Sequence, residues 1–265
     1  MKEKKSFLIL SGPFLSIINL FNSIRNYKIA LCLNKILVIV LFFCSSNAYC
    51  CTSCSKELQQ AIRESVYTNI FVLFSAFIVL ALIIIILIYL SLRNYKLNSG
   101  SDITDPKIAC IPLGSASIVL GIGIGGFTDG IILHQILQWH EMFSNKFPPM
   151  TVLQKSVNMF WDGIFHLFTL LSTIIGIYLL WKLMRKININ TSGNLLTGGI
   201  LAGWGIFNLA EGIINHQILE IHNVKEITAN KELWNYGFLL FGILLLLFGW
   251  ISMRNSFRVF KNGPI

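Results

Sequence analysis

Residues 70–92 read IFVLFSAFIVLALIIIILIYLSL, an apolar run without a single charged side chain. A transmembrane α-helix needs roughly 20 consecutive apolar residues, so this run predicts a helix that crosses a bilayer. Four further apolar stretches of spanning length follow at 109–137, 160–181, 195–219 and 233–253. Of the 265 residues, 54% are hydrophobic and only 12% are charged, whereas about 25% are charged in a soluble domain. The sequence therefore predicts an all-α integral membrane protein with five transmembrane helices.

The basic residues are distributed unevenly among the segments that follow these spans. The segments after the first, third and fifth spans are the richer ones, with Arg93, Lys96, Lys107, Lys182, Arg185, Lys186, Arg254, Arg258 and Lys261. The positive-inside rule places these segments inside, so the mature N-terminus lies outside and the tail at 254–265 is cytoplasmic. Because this topology accounts for the net charge of +9, the predicted partner is the lipid bilayer, and no nucleic-acid partner is expected.

The first 48 residues have the features of a targeting segment. Residues 36–43 form a short apolar core behind two lysines, and Ser46 and Ala48 occupy the small-residue positions of a signal-peptide cleavage site. Cleavage after Ala48 leaves the mature N-terminus outside, in agreement with the charge distribution. Residues 6–24 are also apolar but are broken by polar residues and a proline. The segment 1–48 is therefore predicted to be either a leader or a weak extra span.

The segment at 49–69 is predicted to be external and contains three cysteines. Cys51 and Cys54 form a C-x-x-C pair, with Cys50 beside it. A disulfide between Cys51 and Cys54 is the expected resting state in an oxidising compartment. The other interpretation is a redox or metal-binding thiol pair, because thiols and imidazoles together favour copper.

A twelve-residue pattern occurs twice in the chain. Residues 129–140 read DGIILHQILQWH, and residues 211–222 read EGIINHQILEIH, 82 positions later. Two spans separate the copies, so the second and fourth spans are predicted to run in the same direction. The four-helix membrane domain at 109–253 is thus expected to contain a parallel internal repeat of two spans each, related by a pseudo-two-fold axis along the membrane normal.

Three motifs in order resemble a known family. They are GGFxDGIxLHQxLQWH at 125–140, WDGxFH at 161–166 and GxxNxxEGxxxHxxLxxH at 205–222. This part of the chain, roughly 112–253, resembles the bacterial predicted integral membrane proteins catalogued as domain of unknown function 2243. The resemblance implies a protein of the bacterial cytoplasmic (inner) membrane, and it implies no reaction because the family has no established activity. Two positions depart from the family pattern, which often has a second histidine there: Glu141 and Asn223.

All histidines of the chain lie within these motifs: His134, His140, His166, His216 and His222. The topology places them in the outer leaflet or at its surface, together with three carboxylates: Asp129, Asp162 and Glu211. Ionisable groups within a membrane are treated as a functional site by default. Imidazoles with nearby carboxylates are typical of a metal or haem site, in which the carboxylate orients the ring.

The spacing of the histidines gives an expectation about their grouping. His134 and His140 are six residues apart, roughly 120° around a regular helix, so both can bind one ion only if the helix ends or bends between them. We therefore expect His134, His166 and His216 to form an inner group, with His140 and His222 nearer the surface.

These features lead to three hypotheses about function. The first is a protein that binds a transition metal, with copper favoured, or haem, in metal handling or in a respiratory assembly with other membrane proteins. The second is an intramembrane hydrolase in which histidines hold zinc and Asp129 or Glu211 is the general base, so enzymatic activity is left open. The third is a structural network in which histidines and carboxylates only join the helices.

Overall fold

The computed structural model describes residues 55–97, 106–185 and 192–262. Within these ranges there is no β-strand, and the helices are α1 (Lys56–Leu97), α2 (Pro106–Thr128), a first π-helix (Asp129–Ile136), α3 (Val152–Met184), α4 (Gly193–Glu211), a second π-helix (Gly212–Ile218) and α5 (Lys231–Asn262). The all-α fold class is confirmed for this part of the chain. The segment at 1–48 and the pair Cys51 and Cys54 lie outside the described residues.

Four helical segments of the described ranges are long and apolar enough to cross a membrane: Phe74–Asn94, Cys110–Ile136, Val152–Met184 and Lys231–Ser256. The chain is therefore a membrane protein with several candidate spans in contact with lipid. Helix α4 is not among them, because glycine, asparagine and a terminal glutamate dilute its apolar residues. The fourth span, predicted at 195–219, stays a prediction, and so does the total of five spans.

Helix α1 has one face toward the protein and one away from it. Leu80 and Ile84 are buried against the other helices, whereas Leu82, Ile85 and Ile86 are exposed. So many exposed aliphatic side chains would be unfavourable in water, but they suit the hydrocarbon core of a bilayer. The outward face of α1 is therefore a lipid-contact surface.

Glycines bring α2 and α4 into close contact. A Cβ atom on Gly121 would collide with the backbone carbonyl of Ile200, and a Cβ atom on Gly203 would collide with that of Ile118. Helix α4 also approaches α5 closely, since a Cβ atom on Gly205 would lie 2.7 Å from the carbonyl oxygen of Gly242. Small residues at such contacts are the usual means by which helices associate in lipid. Helix α4 consequently lies between α2 and α5.

We predict that Gly203→Ala destabilises the protein, because the new methyl group forces α2 and α4 apart. Overpacking of a close contact costs about 1–3 kcal/mol. The matched control is Gly163→Ala on α3, where a Cβ atom meets nothing within 4 Å. A lower midpoint of thermal unfolding for Gly203→Ala alone is expected, and equal midpoints for both variants would contradict this account of the packing.

Both α2 and α4 change into a π-helix and then end. Leu137 N donates to Ile132 O over 2.8 Å, and Leu219 N donates to Ile214 O over 2.9 Å, each across five residues. A residue of positive φ follows in each case, Gln138 at 48° and Glu220 at 47°. The same local sequence therefore adopts the same conformation at both places, and the chain turns out of the helix between the histidines of each copy.

The two segments that follow the π-helices are joined to each other. We call residues 137–151 the first loop and residues 219–230 the second loop. Asn145 N donates to Ile221 O at 3.0 Å, and Glu226 N donates to Trp139 O at 2.9 Å. These backbone hydrogen bonds hold the loops side by side at one end of the helices, so residues about 80 positions apart in sequence meet there.

Candidate metal centre

Four buried side chains meet beneath the paired loops: His134, His140, Glu211 and His222. One donor atom from each lies within 4.8 Å of the donor atoms of the others. His134 comes from the first π-helix and Glu211 from the end of α4, while His140 and His222 come from the loops. We call these four side chains the His/Glu cluster.

The Nδ1 atom of each clustered histidine is hydrogen bonded. His140 Nδ1 donates to Val224 O at 2.8 Å, and His222 Nδ1 donates to Met142 O at 2.9 Å. His134 Nδ1 lies 2.9 Å from Asp162 Oδ1. Because a carbonyl oxygen only accepts, Nδ1 of His140 and of His222 carries a proton, and in the neutral ring Nε2 is then the nitrogen that can bind a metal ion. Metal-binding histidines have this arrangement, in which the second nitrogen donates to a carbonyl or a carboxylate.

The two loops orient each other's histidine. Met142 of the first loop holds His222, and Val224 of the second loop holds His140. The backbone N–H of Met142 also donates to Asp162 Oδ1 at 3.1 Å, so this carboxylate links the first loop to His134. The orientation of all three rings therefore depends on contacts between the two loops and α3.

The atoms that face the middle of the cluster have no hydrogen-bond partner among the described residues. They are Nε2 of His134, His140 and His222, together with Glu211 Oε2. Glu211 Oε1 lies 3.4 Å from His222 Nε2, and Asp129 Oδ2 lies 3.2 Å from His134 Nε2, so both carboxylates are close to ring nitrogens. Buried polar atoms are normally paired. Nitrogen and carboxylate oxygen atoms that converge in this way are the arrangement that a bound cation requires.

His216 lies beside the cluster. Its ring centroid is 4.8 Å from that of His222 and 6.1 Å from that of His140. The residue is only 3% exposed, and neither ring nitrogen has a hydrogen-bond partner in the described part of the chain. His216 is therefore an adjacent imidazole without an orienting group, in contrast to His134.

His166 belongs to different surroundings. Gln135 Nε2 donates to His166 Nε2 at 2.9 Å, and the ring stacks against Phe127. The structure thus groups the histidines differently from the inner set expected from the sequence, since His140 and His222 join His134 whereas His166 does not. The physical reason is that each helix ends between its two histidines. The sequence contained one indication that the helices end there: both copies of the repeated pattern have two histidines six residues apart.

The loops carry a second polar network around Glu226. Its carboxylate accepts from Ser144 Oγ at 2.9 Å, from Asn223 N at 2.8 Å and from Lys231 Nζ at 2.7 Å. Burial raises the pKa of Glu226, but the hydrogen bonds from Lys231, Asn223 and Ser144 outweigh it and lower the pKa below its usual value. Glu226 is therefore a charged link between the first and second loops.

We predict that Glu226→Gln destabilises the loop pair in a pH-dependent manner. Because the pKa is lowered in the folded state, the contribution is present above the ordinary value of 4.5 and is lost as the pH falls through the lowered value. The difference in thermal midpoint between wild type and Glu226→Gln should therefore disappear in acid. Glu220→Gln, at an exposed position of the same loop, is the control, and a difference that persists in strong acid would contradict the prediction.

An apolar pocket of about 520 Å³ lies next to the cluster. It is lined by residues of the first π-helix, α4, α5 and both loops, including three tryptophans: Trp139, Trp204 and Trp234. Thr128, Asp129 and Asn208 form the polar part of the lining, and the hydroxyl group of Thr128 donates to Ile124 O. Asp129 also lies against His134, so the pocket reaches the edge of the His/Glu cluster.

The helices and the cluster together define a membrane protein with several apolar helices around buried histidines and carboxylates. Residues 116–256, more than half of the chain, match the family described as predicted membrane protein (DUF2243). The chain belongs to this family, which confirms the resemblance found in the three motifs. No curated protein and no solved structure matches it.

Proposed function

We propose that this protein binds a divalent transition-metal ion through His134, His140, Glu211 and His222, with copper as the first candidate and zinc as the second. The observation that carries the proposal is the convergence of three Nε2 atoms and one carboxylate oxygen within 4.8 Å of one another, with each Nδ1 atom beside an acceptor. A purely structural network accounts for the carboxylates beside His134 Nε2 and His222 Nε2. It leaves the buried Nε2 atom of His140 without a partner among the described residues, and buried polar atoms are normally paired.

The donor set favours first-row transition metals over calcium and magnesium. Three imidazole nitrogens and one carboxylate oxygen suit zinc, copper, iron and nickel, and copper(II) has the highest affinity among the divalent ions of this series. Haem fits less well, because the rings of His140 and His222 stack with centroids only 4.7 Å apart. A porphyrin would have to separate them and displace His134, whose ring centroid is 4.2 Å from that of His140.

We also propose that the second and fourth spans are an internal repeat with the cluster at the outer side. Support comes from matching hydrogen bonds in the two π-helices and from the reciprocal contacts of His140 and His222. In this arrangement α4 with the second π-helix is the fourth of five spans. The basic residues remain the basis for an external N-terminus and a cytoplasmic tail.

A site of this kind suits retention of a metal ion rather than rapid exchange. His134, His140 and His222 are 3% exposed or less, and both loops cover them. We propose that the protein serves in metal handling or in a respiratory assembly of the bacterial inner membrane, where a bound ion must be kept. Other membrane proteins of such an assembly are the proposed partners.

The second candidate function is a zinc-dependent intramembrane hydrolase. One observation favours it: Asp129 is buried with its Oδ2 atom 3.2 Å from His134 Nε2, and its Oδ1 atom has no hydrogen-bond partner in the described ranges. An unpaired carboxylate next to a zinc ion is placed as a general base for a metal-bound water.

The test is elemental analysis with an absorption spectrum of the protein purified from its native membrane. We expect about one equivalent of a transition metal, lost on treatment with a chelator. A visible band would support copper(II), and colourless protein with zinc would support the hydrolase. Protein that contains no metal and takes up none from copper or zinc salts would refute the proposal.

A further inference from the structure

The pocket beside the His/Glu cluster has an aromatic body and one polar corner. Trp139, Trp204 and Trp234 line it with Phe238 and Phe241. Its volume of about 520 Å³ lies within the usual range of small-molecule sites, about 300–1,000 Å³. Such a lining favours a flat, apolar molecule over a polar solute.

The polar corner of the pocket contains acceptors that have no donor. Asp129 is 4% exposed and Asn208 is 1% exposed. Asp129 Oδ2 lies 3.2 Å from His134 Nε2, whereas Asp129 Oδ1 and Asn208 Oδ1 have no hydrogen-bond partner among the described residues. Buried acceptors that stay unpaired are unfavourable, because they lose the hydrogen bonds that water provides in the unfolded chain. The corner therefore matches a ligand that donates hydrogen bonds, and its carboxylate disfavours an anion.

The opposite end of the pocket is next to the loops. Trp139 and Trp234 pack edge to face with centroids 4.9 Å apart, and Lys225 Nζ lies 4.8 Å from each ring. The ammonium group of Lys225 is a donor and offers no acceptor to a ligand on that side. The polar head of a ligand therefore has its acceptors at Asp129, close to the cluster, and not at the loop end.

We propose that this pocket binds a neutral, lipid-soluble aromatic molecule with a hydroxyl group, and that the hydroxyl group lies at Asp129 beside the metal-binding cluster. The inference deepens the proposed function and rests on it for the metal, since it names the class of molecule that this site receives. The aromatic lining holds the ring, and the two unpaired acceptors orient the hydroxyl group. A phospholipid acyl chain would fill the apolar part but would leave Asp129 and Asn208 unpaired.

The test uses two probes of nearly equal shape, para-hexylphenol and para-hexylanisole, with the full chain reconstituted in lipid. Only the phenol donates a hydrogen bond. Quenching of tryptophan fluorescence reports binding, because three tryptophans line the pocket. We expect the phenol to bind at least about 10-fold more tightly than the anisole, as a hydrogen bond to a buried charged acceptor provides. Equal affinities would overturn the proposal.

One variant adds bulk to the pocket, and its matched control adds the same bulk elsewhere. Gly237 lines the pocket, and a Cβ atom on it meets nothing within 4 Å, so Gly237→Leu adds bulk only to the cavity. The control is Gly163→Leu, at an equally open position of α3. Gly237→Leu should lose binding of the phenol while it keeps the wild-type metal content, and Gly163→Leu should retain both. Undiminished phenol binding to Gly237→Leu would overturn the proposal.

Two further measurements separate this inference from the proposed function. Leu233→Trp also adds bulk to the pocket, at a lining residue that is exposed, and we expect it to weaken phenol binding. It keeps the test valid if Gly237→Leu does not fold. Metal content is measured on every sample. Wild-type protein without metal that still prefers the phenol would refute the proposed function alone, and metal-loaded protein without this preference would refute the inference alone.

Discussion

His222→Ala protein is expected to lose its bound metal ion, although His222 is predicted from the sequence to lie at the surface end of its span. The side chain is completely buried, and its Nε2 atom is one of the four clustered donors. Removal of a ligand should lower affinity by more than the about 10- to 100-fold typical of removing an outer partner. Elemental analysis after size-exclusion chromatography measures this loss.

The control for His222→Ala is His166→Ala. His166 is half-buried and hydrogen bonded to Gln135, away from the cluster, so this variant should keep the wild-type metal content. The opposite result, in which His166→Ala loses the ion and His222→Ala keeps it, would restore the inner group expected from the sequence. Metal retention in both variants would show that neither histidine holds the ion.

Substitution of Asp162 is expected to give a graded loss of metal affinity. Asp162 binds no ion in this arrangement, but its Oδ1 atom holds His134 Nδ1 at 2.9 Å and Met142 N at 3.1 Å. Asp162→Asn keeps an acceptor without the charge, whereas Asp162→Ala removes it. Loss of such an orienting partner lowers metal affinity by about 10- to 100-fold, so Asp162→Ala should approach the upper figure and Asp162→Asn the lower.

Competition with a chelator of known affinity measures this effect for each variant. Glu232→Gln is the control, because Glu232 is an exposed carboxylate at the start of α5. An unchanged affinity in Asp162→Ala would show that Asp162 does not orient a ligand. An affinity loss in Asp162→Asn as large as that in Asp162→Ala would assign the effect to charge rather than to hydrogen bonding.

Much of the architecture followed from composition and apolar runs. The run at 70–92 corresponds to a span at Phe74–Asn94, and three of the other four runs also correspond to helices of spanning length. These features are readable because a bilayer imposes one length and one polarity on every span. The stretch at 195–219 is less apolar because its glycines serve contacts with α2 and α5.

The list of polar residues around the cluster was also available from the sequence, but their pairing was not. On a regular helix His134 and His140 would point in different directions. In the folded chain the first π-helix ends and Gln138 has a positive φ, so His140 lies outside the helix. The rings then meet because Met142 and Val224, 80 and 84 residues from the histidines they bind, accept their hydrogen bonds. Local periodicity carries no information about such contacts, since they form only when the two loops lie side by side. The span positions were thus inherent in the apolar pattern, and the convergence of donor atoms arose from long-range packing.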